Sequence, residues 1–137
     1  MRLQITLFVG IISILLAACG GDPGGHNPYD GIWTLTFGSI TPPTGPAGST
    51  ATCSIPPASI TLANGAGTAT PIENCTYTTP ASGVVATSTS NLATAVNLSG
   101  ITMQAIVNGS TYSGKCISQN GCSAQADSGT GSMTLIR

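Results

Sequence analysis

Gly31-Ile32-Trp33-Thr34-Leu35-Thr36-Phe37 is the stretch whose reading decides the fold. Trp33, Leu35 and Phe37 fall on one side of an extended chain, with Thr34 and Thr36 on the other. A period of two marks a strand with one buried face. Working outward, strand-like stretches recur at residues 51–55, 59–63, 82–89, 92–98, 101–107, 110–117 and 131–137. Between the opening stretch and the first of these lies a loop, residues 38–50, which contains Pro42, Pro43, Pro46, Gly45 and Gly48. No helical period follows residue 18. The expectation is all-β: a small antiparallel barrel or sandwich of about eight short strands, after an N-terminal signal helix and a flexible tether.

Two turns fix local register. Asn64-Gly65 and Asn108-Gly109 are both of the type that tolerates the positive φ of a two-residue type I′ hairpin. The second places Tyr112 opposite Ala105 and Gly114 opposite Met103. If Ala63 and Ala66 flank the first, paired positions sum to 129, and Cys53 falls one residue from the partner of Cys75. A bulge at Pro56-Pro57 would bring the two cysteines together, which favours a Cys53–Cys75 disulfide. Cys116 and Cys122 bracket a loop short enough to close on itself as a second one. Loop-closure entropy assigns the two bridges about 3 and 2.5 kcal/mol, less any native strain.

The fifth cysteine stands apart. Leu16-Ala17-Ala18-Cys19 ends an apolar run that starts at Leu3, behind the single positive charge of Arg2. That run is shorter than the roughly 20 residues of a membrane span and suits a signal-peptide core. The four residues resemble the lipobox of bacterial lipoproteins. The resemblance implies that residues 1–18 are cleaved and that Cys19 is lipidated as the first residue of the mature chain. Several acyl chains at one site hold a protein far more firmly than one. Gly20 follows Cys19 where the family often carries an inner-membrane retention Asp, so the implied address is the outer membrane. Residues 19–28 have no apolar side chain other than the prolines and read as a lipid-anchored flexible tether, spanning roughly 15–20 Å as a coil. Residues 29–137 form the single all-β domain.

Composition narrows the partners. The mature chain has Lys115 and Arg137 against Asp22, Asp30, Glu73 and Asp127, a net charge of −2. Two cations cannot form the basic stripe that nucleic acid requires. An exported chain folds under oxidising conditions, where the four remaining cysteines read as two disulfides.

Gly31-Ile32-Trp33 is also similar to the Gly-x-Trp opening of lipocalin-like barrels. There the Trp closes one end of the barrel, and an Arg from the last strand packs across it. The resemblance implies that part for Trp33 and Arg137, and makes both candidate ligand-side residues. It also implies a mouth at the other end, where residues 38–50 would sit as a lid.

Catalytic chemistry is sparse. The only histidine, His26, lies in the tether, so neither a zinc constellation nor a nucleophile–base pair is legible. Asp30, Glu73 and Asp127 are scattered singly along the domain. The expectation is a non-enzymatic lipoprotein without metal or cofactor, held to the membrane by its lipid. Its expected role is structural or protein-interacting, with other envelope proteins as partners. The alternative is a binding module for a small apolar or glycan ligand.

Overall fold

The computed structural model describes residues 26–40 and 42–137. Residues 1–18, expected to be a signal segment, Cys19 and the expected tether as far as Gly25 lie outside the described residues. From there the regular structure is all strand. In order, these are β1 (Gly31–Ser39), β2 (Thr50–Ser54), β3 (Ala58–Leu62), β4 (Ala66–Ala69), β5 (Ile72–Thr79) and β6 (Gly83–Asn91). They are followed by β7 (Thr94–Ser99), β8 (Thr102–Val107), β9 (Ser110–Ser118), β10 (Gly121–Ala126) and β11 (Ser132–Ile136).

Eight strands make one antiparallel sheet in the order β3-β1-β11-β10-β9-β8-β7-β4. Its two end strands meet at the Asn64-Gly65 turn through the Ala63–Ala66 bridge, so the sheet curls into a nearly closed barrel. The seam is tight because Gly67 has no side chain. A Cβ there would lie 2.3 Å from the Thr61 carbonyl oxygen. Inward positions alternate as a pleated wall requires. Trp33 and Leu35 on β1, Ile60 and Leu62 on β3, Met103 on β8, and Met133 and Leu135 on β11 are all buried.

The remaining strands, β2-β5-β6, form a separate three-stranded sheet. This differs from a single run of hairpins about Asn64-Gly65. After the one bridge at the turn, β3 pairs with β1 and β4 with β7, while β2 pairs with β5. Pro56-Pro57 therefore marks a change of sheet instead of a bulge, since proline gives no N–H to a ladder. The register shifts by one, and Cys53 faces Cys75 directly.

Both disulfides form as expected, Cys53–Cys75 and Cys116–Cys122. The second closes the short loop of residues 117–121, as expected, across the β9–β10 turn. It bridges directly paired positions of β9 and β10, which continue as a hairpin. Both turns hold their positive φ, at Asn64 (53°), Gly65 (76°), Asn108 (47°) and Gly109 (85°). Tyr112 pairs with Ala105 and Gly114 with Met103. Alkylation of the unreduced, denatured protein should accordingly label none of Cys53, Cys75, Cys116 or Cys122. Mass spectrometry showing any of them alkylated would break the corresponding bridge.

Candidate binding site at the barrel mouth

The two ends of the barrel differ chemically. At one, the chain enters through Pro28 and Tyr29, and Trp33 plugs the interior. The Trp33 Nε1–H donates to the Tyr29 carbonyl at 2.8 Å, and the two rings lie 6.3 Å apart, tilted by 44°. The Tyr29 hydroxyl donates to the Gly100 carbonyl, on the β7–β8 turn. Arg137 crosses above the plug, its guanidinium carbon 6.0 Å from the Trp33 ring centroid, and its Nη1 donates to the Pro28 carbonyl at 3.1 Å. Gly31 makes room for it, because at φ +130° a Cβ would fall 2.9 Å from Arg137 Nη2. Trp33 and Arg137 thus meet as the resemblance implied, as a closure of this end. Neither lines the cavity at the opposite end.

That opposite end is the mouth. It gathers the β8–β9 turn, the β10–β11 loop, the start of the β1–β2 loop and the β6–β7 junction. The turn is fastened by reciprocal bonds between Ala93 and Asn108, at 2.8 Å to the Asn108 side chain and 2.9 Å from its backbone N–H. A cavity of about 210 Å³ opens here, lined on its apolar side by Leu92, Val107, Ile40 and Pro43. Ile40 also borders a neighbouring pocket of about 460 Å³, between the end of β1 and β2. Of the Pro-rich loop, Ile40 and Pro43 reach the mouth cavity.

The three-stranded sheet brings the polar group. Glu73, Cys75 and Tyr77 alternate along β5 and are all buried on one face of it. Tyr77 fastens this sheet to the loop, its hydroxyl donating to the Pro43 carbonyl at 3.4 Å and its ring lying against Gly45. Glu73 lines the mouth cavity and is only 4 % exposed. Its Oε1 is fully buried and has no hydrogen-bond partner among the described residues. Burial raises its pKa above the ordinary value of 4.5. Tyr112, across the cavity on β9, is also raised by burial.

An orphaned buried acceptor in a native structure calls for an explanation, since leaving it unmade costs about 1–3 kcal/mol. Glu73 lies within 4.8 Å of the sulfurs of Cys53 and Cys75, but their disulfide leaves no thiolates to join it around a metal. Glu73 instead puts a carboxyl in the wall of a cavity that Leu92 and Val107 also line, with the exposed Ser110, Ser128 and Asn108 around it.

A larger open groove, about 610 Å³, runs across the outside of β4, β7, β8 and β9. Its lining includes the outward side chains of Ala66, Ala95, Gln104 and Ile106, and it contains no buried orphan group. The remaining carboxylates separate: Asp127 is at the mouth end, and Asp30 accepts the Gly65 N–H at the closed end, 3.0 Å away. His26 is exposed, beside the closed end.

Fold and site together define a small β-barrel, stoppered at one end and holding an unmet carboxyl at the other. The chain matches no known protein family, no curated protein and no solved structure.

Proposed function

We propose that this chain is an exported lipoprotein, anchored through Cys19 and displayed at the outer membrane, whose barrel mouth binds a small ligand. The ligand is a compact apolar body with a hydrogen-bond-donating head, best a primary ammonium. The observation that carries this reading is the buried, unpartnered Oε1 of Glu73 in the wall of a cavity that Leu92 and Val107 also line. Size supports it: a dry cavity of about 150 Å³ already takes up benzene, and this one is about 210 Å³. Drug-sized ligands need roughly 300 Å³ or more. The reading is one of binding: Glu73 and Tyr112 are the ionisable groups on the cavity wall, and burial keeps the Tyr112 phenol protonated.

The lipocalin-like resemblance supports the same reading, because Trp33 and Arg137 close the end opposite the cavity. The structural or protein-interacting role draws instead on the open outer groove, where no buried group asks for a partner.

Titration with benzylamine, benzyl alcohol and benzoate, followed by NMR shifts of mouth residues, tests the proposal. Benzylamine and benzyl alcohol should bind saturably, and benzylamine should outbind benzoate by at least about tenfold through its charge-assisted bond. Ser110→Trp, an exposed change at the rim, should block both. If none of the three probes perturbs mouth residues, ligand binding is refuted and the interaction role stands in its place.

A further inference from the structure

The outside of the barrel at the closed end carries a row of isoleucines. Among the described residues seven large apolar side chains are exposed, and four of them, Ile32, Ile101, Ile117 and Ile136, lie at this end. Ile136 on β11 pairs with Thr34 on β1, so Ile32 is its diagonal neighbour on the same outer face. On its other side Ile136 pairs with Gly121 of β10. Gly121 has no side chain to interrupt the row, and a Cβ there would come within 3.9 Å of Ile117 Cγ1. Ile101 lies at the same end but on the β7–β8 turn, exposed at the rim, its carbonyl accepting the Cys116 N–H at 2.8 Å. Ile117 is 90 % exposed and Ile32 69 %, values unusual for aliphatic side chains with nothing to meet.

Charge follows the same axis. The only two cations of the domain, Lys115 and Arg137, are exposed beside this row, whereas Glu73 lines the mouth cavity and Asp127, on the β10–β11 loop, borders the outer groove. Asp30 is the exception at the closed end, and its Oδ1 is occupied by the Gly65 N–H. The chain also enters at this end. Pro28 is nine residues from Cys19, so the barrel rim lies within about 30 Å of that residue even with the tether fully extended.

We infer that the isoleucine row is a bilayer-docking surface: the closed end rests on the membrane, its isoleucines among the upper acyl carbons and its two cations at anionic headgroups. This rests on the proposed anchoring at Cys19, which holds the row near one leaflet. Apolar side chains at the rim then transfer out of water, and Lys115 and Arg137 add the attraction of a negative surface. The mouth with Glu73 points away from the membrane, open to solutes.

The test uses the intact protein purified from its membrane and reconstituted into vesicles of phosphatidylethanolamine and phosphatidylglycerol, with acyl chains brominated near the headgroup. I117W and V84W each place one exposed reporter, at the closed end and on the three-stranded sheet. The emission added by I117W should fall at least twofold with brominated lipid and resist iodide; that added by V84W should do the reverse. Mass analysis of the Cys19 peptide on the same sample separates the two claims. An unmodified Cys19 removes the anchor and this orientation with it. A lipidated protein whose I117W emission ignores brominated lipid overturns the docking surface alone, as does protection of that reporter by self-association in detergent.

Discussion

Truncation of Trp33 to alanine should destabilise the domain by about 3–5 kcal/mol, the range for removing a fully buried indole. Small domains have about 5–15 kcal/mol in total, so the variant should be partly unfolded at physiological temperature. Three losses coincide at this position. The ring is 1 % exposed, and the cavity left behind borders Leu35, Ile60 and Leu62 on neighbouring inward positions, held by strand pairing that limits collapse. The Tyr29 carbonyl loses its 2.8 Å donor. Arg137 loses the ring beneath its guanidinium and keeps only Pro28. Trp33→Phe separates these effects, since it restores most of the buried area but not the N–H. Its cost should be about 1–3 kcal/mol, that of an orphaned buried acceptor. Urea unfolding followed by far-ultraviolet circular dichroism reads both, independently of tryptophan emission. A Trp33→Ala variant within 1 kcal/mol of the parent would mean that the closed end does not depend on its plug.

What the sequence revealed follows from how local each signal is. The alternation in β1 and the two Asn-Gly turns depend on a few adjacent residues, and both survive folding unchanged. The Cys53–Cys75 pairing was reached through a hairpin ladder that in fact stops at the Ala63–Ala66 bridge, and β2 meets β5 in the other sheet only one position from that register. Three strands were not legible. β4 is Ala-Gly-Thr-Ala and β10 is Gly-Cys-Ser-Ala-Gln-Ala, small residues with little strand preference of their own. Their neighbours impose the conformation, β7 on one and β9 with β11 on the other. The third, β5, decides the site. Glu73, Cys75 and Tyr77 do alternate, yet a carboxylate at an inward position argues against burial on any composition-based reading. Only the change of sheet at Pro56-Pro57, a long-range event, brings that face over the mouth. Glu73 therefore read as one of three scattered acids.

Glu73→Gln should stabilise the protein at neutral pH while abolishing its preference for cationic ligands. Burial holds the folded-state pKa of Glu73 above 4.5, the value of the unfolded chain. As pH rises past 4.5 the unfolded chain gives up this proton first. The folded state then binds more protons, and stability declines with pH until the folded-state pKa is passed. Below 4.5 the carboxyl is protonated in both states and differs little from an amide. The stability advantage of Glu73→Gln should thus be near zero at about pH 4. It should then rise to a plateau in neutral solution, by about 1.4 kcal/mol for each unit that burial raises the folded-state pKa, because the amide carries no charge to desolvate. The groups facing Glu73 do not blur this window: the Cys53–Cys75 disulfide is uncharged, and burial keeps the Tyr112 phenol protonated well above it. Ligand should invert the ranking. Saturating benzylamine gives the carboxylate its partner, raising the melting temperature of the parent at pH 7 and leaving that of Glu73→Gln nearly unmoved, whereas benzyl alcohol should shift the two alike. Parallel pH–stability curves for parent and variant would show that Glu73 carries no such penalty. Equal shifts with benzylamine would show that the penalty serves no cation. A residue that lowers stability when the mouth is empty and restores it when a cation arrives is the behaviour expected of a binding group, since a purely structural acid gains nothing from the ligand.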